Sequence, residues 1–303
     1  MASIAPQTVA VIGCGETLDR FLLKKALIIK GTLGTAIAAG ILDPVDKNGI
    51  SIKRLIATVG TEPSKLRVED TLSQHSSRLT VLLHQDNVRA IQEADVVLLA
   101  FKPIKREEVF GAPGIKEALR GKLIISIMAG ISTNEIARLA DDSTGNVQAV
   151  RVMPNMAAKI REAVSLFTAN LDTLSKDNLE IATWIFSQVG ETQFIAESSF
   201  DISAVLVGCA GSLLLLAVDG LLDAAVAEGV KRPEAQKMVV NSAIGMMKLV
   251  PAGDHPSVLR EKIASPGGCS IRALLELEKL GVRSAFTSAI MAAAERSKSM
   301  SRQ

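Results

Sequence analysis

Five short runs of β-branched and aliphatic residues, spaced by helical periods, constrain this chain more than any other feature. They are residues 9–12 (Val-Ala-Val-Ile), 54–59 (Arg-Leu-Ile-Ala-Thr-Val), 96–100 (Val-Val-Leu-Leu-Ala), 122–126 (Lys-Leu-Ile-Ile-Ser) and 147–152. Near-continuous apolar runs of this length suit strands covered by helices on both faces, which predicts a doubly wound α/β domain on a parallel sheet. Beyond residue 155 such runs nearly vanish. Helical periods take over at 173–189, 201–228, 232–250, 257–263, 271–279 and 282–297. The Met153-Pro154-Asn155 break marks the change. The reading is a Rossmann-like domain over residues 1–155 and an all-helical domain over 156–303.

At 303 residues and 48% hydrophobic, the chain can bury the cores of two domains. Its net charge of +2, from 34 Lys and Arg against 32 Asp and Glu, offers no single-sign field for nucleic acid or an anionic membrane. Aromatics are 3% with no Tyr, which argues against base-stacking or sugar-stacking surfaces. Cys14, Cys209 and Cys269 lack metal-ligand spacing and His75, His84 and His255 are isolated, so no metal site is expected. A reduced, cytoplasmic protein is the expectation. Residues 1–8 carry no basic stretch of a secretory signal. The most hydrophobic run, 202–218, falls short of the roughly 20 apolar residues of a membrane span and is read as a buried helix.

Residues 9–15 deliver an apolar strand into Gly13-Cys14-Gly15, the opening of a dinucleotide-binding turn. The first glycine there makes the turn tight and the second lets backbone approach a pyrophosphate. A third glycine is due three residues later, yet residues 16–30 intervene before Gly31-Thr32-Leu33-Gly34. Removing residues 16–31 leaves Val-Ala-Val-Ile-Gly-Cys-Gly-Thr-Leu-Gly, a complete G-x-G-x-x-G. An insert at this point moves the helix N-terminus away from the phosphates and weakens the site. Two explanations compete: residues 18–29 form a small extra helix looping out, or the segment is a retained intron or gene-prediction artefact. The restored fingerprint favours the second. A glycine-rich turn also joins strands to helices without any ligand. The cofactor reading draws on its place in the first βα unit and on the later strand end at residues 94–103. After Val59 no acidic residue stands ready for a ribose 2′-hydroxyl. Gly60-Thr61 occupies the strand tip, with Ser64, Lys65 and Arg67 behind it. That leans toward the 2′-phosphate of NADP, although Lys65 and Arg67 equally suit a solvated helix start.

In the second half, Ser265-Pro266-Gly267-Gly268 leads into a helix beginning near Cys269-Ser270. Glycines there let the chain bend, and a helix N-terminus presents unpaired N–H donors that suit a small carboxylate. Ser265 and Ser270 add hydroxyls. The plain alternative is an inter-helix turn with Ser270 as a cap.

Residues 255–283, with Ser-Pro-Gly-Gly-Cys-Ser-Ile-Arg-Ala-Leu-Leu at their centre, resemble the signature of the Δ1-pyrroline-5-carboxylate reductases. Residues 9–15 resumed at 32–42, 94–103, 124–131 and Arg151-Val-Met-Pro-Asn155 follow the same family in order, so the resemblance spans essentially the whole chain. It implies an NAD(P)H-dependent imine reductase that makes proline, with a Rossmann domain and a helical domain that builds a dimer or larger homo-oligomer. The substrate would lie between the domains, with Ser265, Gly267, Gly268, Cys269 and Ser270 holding it. Ser270 would stand where the family has a Thr that hydrogen-bonds the ring nitrogen, which makes it the catalytic candidate. Gly13, Gly15, Thr32, Leu33, Gly34, Ser64, Ala100, Lys102, Pro103, Ala129 and Asn155 would line NADPH or NADH. A protonated cyclic imine is already electrophilic, so hydride transfer asks mainly for proximity and orientation.

The chain departs from the family's helix pattern at Ala204, where a Thr is usual, and at Val207, where a Ser is usual. Apolar side chains beside the substrate would favour a bulkier ring, hence a substituted cyclic imine carboxylate of a specialised pathway. Positions touching only a partner subunit are the alternative. The broken turn also motivates an inactive homologue acting as an oligomeric scaffold or regulator. A further option is a member of the wider β-hydroxyacid or imine-reductase group, for which Asp201 is the only proton-donor candidate near the start of that helix.

Overall fold

Apolar alternation on the strands decides the architecture. In β4 (Val96–Ala100), Val96, Leu98 and Ala100 enter one hydrophobic cluster while Val97 and Leu99 enter another, and all five residues are buried. A strand whose successive side chains point to opposite faces needs apolar cover on both. The computed structural model describes residues 21–29, 32–45, 50–140 and 147–300.

Its strands are β1 (Phe21–Ile29), β2 (Ile50–Val59), β3 (Leu79–Leu83), β4, β5 (Leu123–Ser126), β6 (Gln148–Pro154), β7 (Ala163–Ala169) and β8 (Gly190–Phe194). They form one sheet in the order β3-β2-β1-β4-β5-β6-β7-β8. All pairings are parallel except β6 with β7. One face is covered by α1 (Thr32–Leu42) and α7 (Lys176–Ser187), through Ile37, Ile41, Trp184, Ile185 and Phe186. The other is covered by α3 (Asn87–Gln92), α4 (Arg106–Phe110), α5 (Ile115–Leu119) and α6 (Thr133–Ala140), through Ile91, Phe110, Leu119 and Ile136. The remaining helix of this part, α2 (Glu62–Thr71), follows β2.

The doubly wound α/β expectation holds, while two readings, the extra helix over residues 18–29 and the end of the sheet near residue 155, need correction. Residues 9–12, expected as the first strand, lie outside the described residues. Residues 21–29 are no extra helix but β1, paired on both edges, with β2 and with β4. The sheet does not end near residue 155. β7 and β8 extend it, and the first compact unit runs to Gly208 and takes in the chain from Ser297 on. β7 reads Ala-Val-Ser-Leu-Phe-Thr-Ala, whose hydroxyls interrupt the apolar run, and β8 reads Gly-Glu-Thr-Gln-Phe, a polar edge strand.

The second unit is Cys209–Arg296. It contains the later part of α8 (Glu197–Ala227) with α9 (Arg232–Lys248), α10 (Pro256–Ile263), α11 (Cys269–Lys279) and most of α12 (Val282–Met300). Its buried hydrophobic residues are few, Leu222, Ala235 and Leu259, while Leu214, Leu215, Leu216, Leu221, Met238 and Met247 stand exposed. The apolar run at 202–218 is therefore not the buried helix the composition suggested. α8 is long and apolar enough to cross a membrane by length and composition alone, and only 11% of its most apolar window is buried within this chain. Contiguous exposed apolar surface of this kind marks an interaction face.

Candidate functional site

The strand order reverses at β1. From it the chain winds outward through β2 to β3 on one side and through β4, β5 and β6 on the other. Ligands of open α/β sheets bind outside the carboxyl ends of the strands at such a switch point. The cofactor residues expected from sequence and described by the structure follow those ends. Thr32 opens α1, with Leu33 half-buried and Gly34 buried in its first turn. Ala100, 7% exposed, closes β4 and is followed by exposed Lys102 and half-buried Pro103. Ala129 is exposed in the turn after β5, and Asn155 follows β6. Gly13 and Gly15 lie outside the described residues.

Local bonding fixes these loops. At the tip of β2, Thr61 caps α2 by accepting from the Ser64 N–H, and its hydroxyl donates to Ser64 Oγ at 3.0 Å. Arg67 also donates to Ser64 Oγ, at 3.0 Å, which stations a guanidinium at that strand end. After β4, Arg106 donates to the Pro103 carbonyl at 3.3 Å and to Glu135 Oε1 on α6 at 3.0 Å, tying the Lys102-Pro103 loop to the helix after β5. Asn155 Oδ1 accepts from the Ala157 N–H at 3.3 Å.

A cavity of about 290 Å³ opens beside the end of β2, lined by Thr58, Val59, His84, Asn87, Val88, Glu108 and Val109 among others. Thr58 Oγ1 and Asn87 Oδ1 are buried and have no hydrogen-bond partner among the described residues. Buried polar atoms are normally satisfied, so two unsatisfied ones in one cavity fit a ligand that brings hydrogen-bonding groups. Sequence reasoning missed both. Thr58 sits in an apolar run that reads as core, and Asn87 reads as an ordinary helix start.

The Pro-Gly-Gly loop belongs to the second unit. The Ser265 carbonyl accepts from the Gly268 N–H at 3.0 Å, with Pro266 second in the turn and Gly267 third at φ +72°. This is the residue pattern of a type II turn, which needs a positive φ at its third position. Gly268 is then the N-cap of α11, and a Cβ there would lie 2.5 Å from Ser265 Oγ. Gly268 offers α11 no side-chain cap, so the cap leaves the helix's first N–H groups unclaimed. Ser270 is therefore not a cap: it lies half-buried inside the first turn, beside the exposed thiol of Cys269. The flanking helices are joined through Glu278, which accepts from Arg260 of α10 at 3.3 Å and pairs with Arg283 of α12. His255 caps α10, its Nδ1 accepting from the Ser257 N–H at 3.2 Å.

Two readings at the start of α8 are corrected. Asp201 is no free proton donor. Arg151 of β6, 4% exposed, donates to Asp201 Oδ1 at 2.5 Å and to Glu197 Oε1 at 3.1 Å, with its guanidinium 4.3 Å from the Phe200 ring centre. Thr133 Oγ1 donates to the other Glu197 oxygen at 3.2 Å. These contacts fasten the start of α8 to the sheet. Ala204, 9% exposed, packs with Leu166 and Phe200 in the same unit, and Val207 lies against that cluster. Ala204 fills this chain's own core, which removes it as a measure of substrate size.

Comparison with known proteins matches two separate stretches of the chain. The family described as pyrroline-5-carboxylate reductase dimerisation matches residues 197–300, and the one described as NADP oxidoreductase coenzyme F420-dependent matches residues 26–130. A pyrroline-5-carboxylate reductase of Lophium arboricola is 34% identical, covering 96% of this chain and 93% of its own length. Its counterpart in Neurospora crassa is 34% identical, covering 93% of this chain and 90% of its own. Among solved structures, a pyrroline carboxylate reductase of Plasmodium falciparum with NADP bound superposes with a TM-score of 0.77 at 25% identity, covering 92% of this chain and 98% of its own. A 1-pyrroline-5-carboxylate reductase of Streptococcus pyogenes gives 0.77 at 26% identity, covering 92% and 99%.

Proposed function

This chain belongs to the pyrroline-5-carboxylate reductase family, and from that premise we propose that it reduces 1-pyrroline-5-carboxylate to proline with NAD(P)H. The observation that carries the reading is the Ser265–Gly268 turn, which delivers the uncapped N-terminus of α11. The residues at the sheet's carboxyl edge fit a dinucleotide: the two unsatisfied oxygens of Thr58 and Asn87 suit the adenosine end, and the Ser64–Arg67 pair suits a 2′-phosphate. When bound, NAD(P)H supplies the hydride.

The chain's own work is binding and orientation. N–H groups of α11 take the substrate carboxylate, helped by Ser265 Oγ. Ser270 Oγ is the candidate to hydrogen-bond the ring nitrogen and keep the iminium proton in place while the carbon accepts hydride and the C=N pair moves onto nitrogen. Ala100, Lys102, Pro103, Ala129 and Asn155 complete the cofactor's seat. Homo-oligomerisation accompanies this reading: the family match over residues 197–300 and the exposed apolar helices support assembly through the second unit. The unpaired thiols of Cys209 and Cys269 suit a reducing, cytoplasmic setting.

Incubation of the purified chain with NADPH and pyrroline-5-carboxylate, with proline quantified by chromatography, tests the proposal. Proline formed in proportion to enzyme and dependent on NADPH is expected. No proline from a folded, NADPH-binding oligomer contradicts it.

A further inference from the structure

We infer that residues 16–31 are a register-preserving insert in front of α1, and that this chain binds cofactor more tightly without them. The inference rests on the proposed reading of the turn before α1 as a dinucleotide site.

Two peptides in the sequence have the make-up of a first strand and its turn: Val9-Ala10-Val11-Ile12-Gly13-Cys14-Gly15 and Lys25-Ala26-Leu27-Ile28-Ile29-Lys30-Gly31. They are offset by 16 residues, with Ala10 matching Ala26, Ile12 matching Ile28 and Gly15 matching Gly31. Deleting residues 16–31 therefore brings the first peptide before Thr32 in the register the second now has. Residues 25–29 of the second peptide hold the slot in this structure. Ala26 pairs with Ile56 and Val97, and Ile28 with Thr58 and Leu99, at the switch point of the sheet. The dinucleotide-family match likewise begins at residue 26.

The peptides differ where cofactor chemistry is most demanding. The register counterpart of Gly13 is Ile29, so the present turn reads Ile29-x-Gly31-x-x-Gly34 where the fingerprint has three glycines. The first of those glycines makes the turn tight, and a β-branched residue is the stiffest substitute for it. The counterpart of Val9 is Lys25, adjacent to Lys24. β4, the neighbour on one edge, contains no polar residue, and strands covered on both faces are near-continuously apolar. The first peptide suits that position better than the second.

Three proteins test this: the full chain, the form lacking residues 16–31, and the full chain with Ile29→Gly, which completes the fingerprint with Gly31 and Gly34. Each is titrated with NADPH by nicotinamide fluorescence and melted without ligand. The shorter form is expected to bind NADPH about tenfold tighter or more than the full chain and to melt no lower, and Ile29→Gly to recover part of the difference. Equal affinity of the full chain and the shorter form overturns the inference, as does a shorter form that does not fold. If all three melt cooperatively and none binds NADPH, the reading of the turn as a dinucleotide site falls and the inference with it.

Discussion

Gly268 and Ser265 approach so closely that an added methyl at Gly268 would meet the Ser265 hydroxyl at 2.5 Å. Gly268→Ala is expected to raise KM for the imine roughly tenfold or more, with the NADPH dissociation constant unchanged, because only the carboxylate seat moves. Initial rates and a separate cofactor titration check it. Arg151 carries a different burden. With its guanidinium buried and both carboxylate partners about a third exposed, Arg151→Met is expected to destabilise the chain by about 2–3 kcal/mol, read as a denaturation midpoint. These residues were unequally legible in the sequence. The Pro-Gly-Gly loop was readable because turn chemistry is local: Pro, a glycine at positive φ and a helix start follow one another within a few residues. Asp201 was misjudged because its partner lies 50 residues earlier on a strand, a pairing that no local pattern announces.

Among the elements, β4 and β5 are legible almost to the residue because covered parallel strands are near-continuously apolar. β7 and β8 escape that pattern for the converse reason. Hydroxyls break β7, and β8, whose one pairing among the described residues is with β7, carries polar residues at an edge. Of the two explanations for residues 16–31, the extra helix over 18–29 fails at β1, because two strand-like peptides stand in tandem before α1 and adjacent lysines obscure the second. If residues 16–31 are foreign to the functional protein, mature transcripts lack their codons; sequencing that finds the segment in essentially every message contradicts this. At the end of β2, Asn87→Ala is expected to weaken NADPH binding about tenfold by removing an acceptor from the cavity. Arg67→Ala is expected to weaken NADPH and spare NADH, since only the former carries a 2′-phosphate. Titration of both variants with both nucleotides separates the two effects.

Across the whole molecule, the second unit has far more apolar surface than its own buried core uses. Leu215 is 67% and Leu216 71% exposed on α8. The same residues misled the composition reading, since an apolar run says that cover exists without saying whether the same chain supplies it. Leu215→Glu with Leu216→Glu is expected to lower the mass measured by light scattering toward that of a single chain, and an unchanged mass would place the interface elsewhere. The proposal gives the Ser265–Gly268 turn and the start of α11 the imine carboxylate, and gives the sheet's carboxyl edge the cofactor. Initial-rate NADPH consumption as pyrroline-5-carboxylate is titrated, in the wild-type chain, the form lacking residues 16–31 and Gly268→Ala in that shorter form, tests it most directly. Saturable turnover is expected, fastest in the shorter form, with Gly268→Ala shifting KM upward. An oligomer that binds NADPH yet consumes none with this imine in any of the three would contradict it.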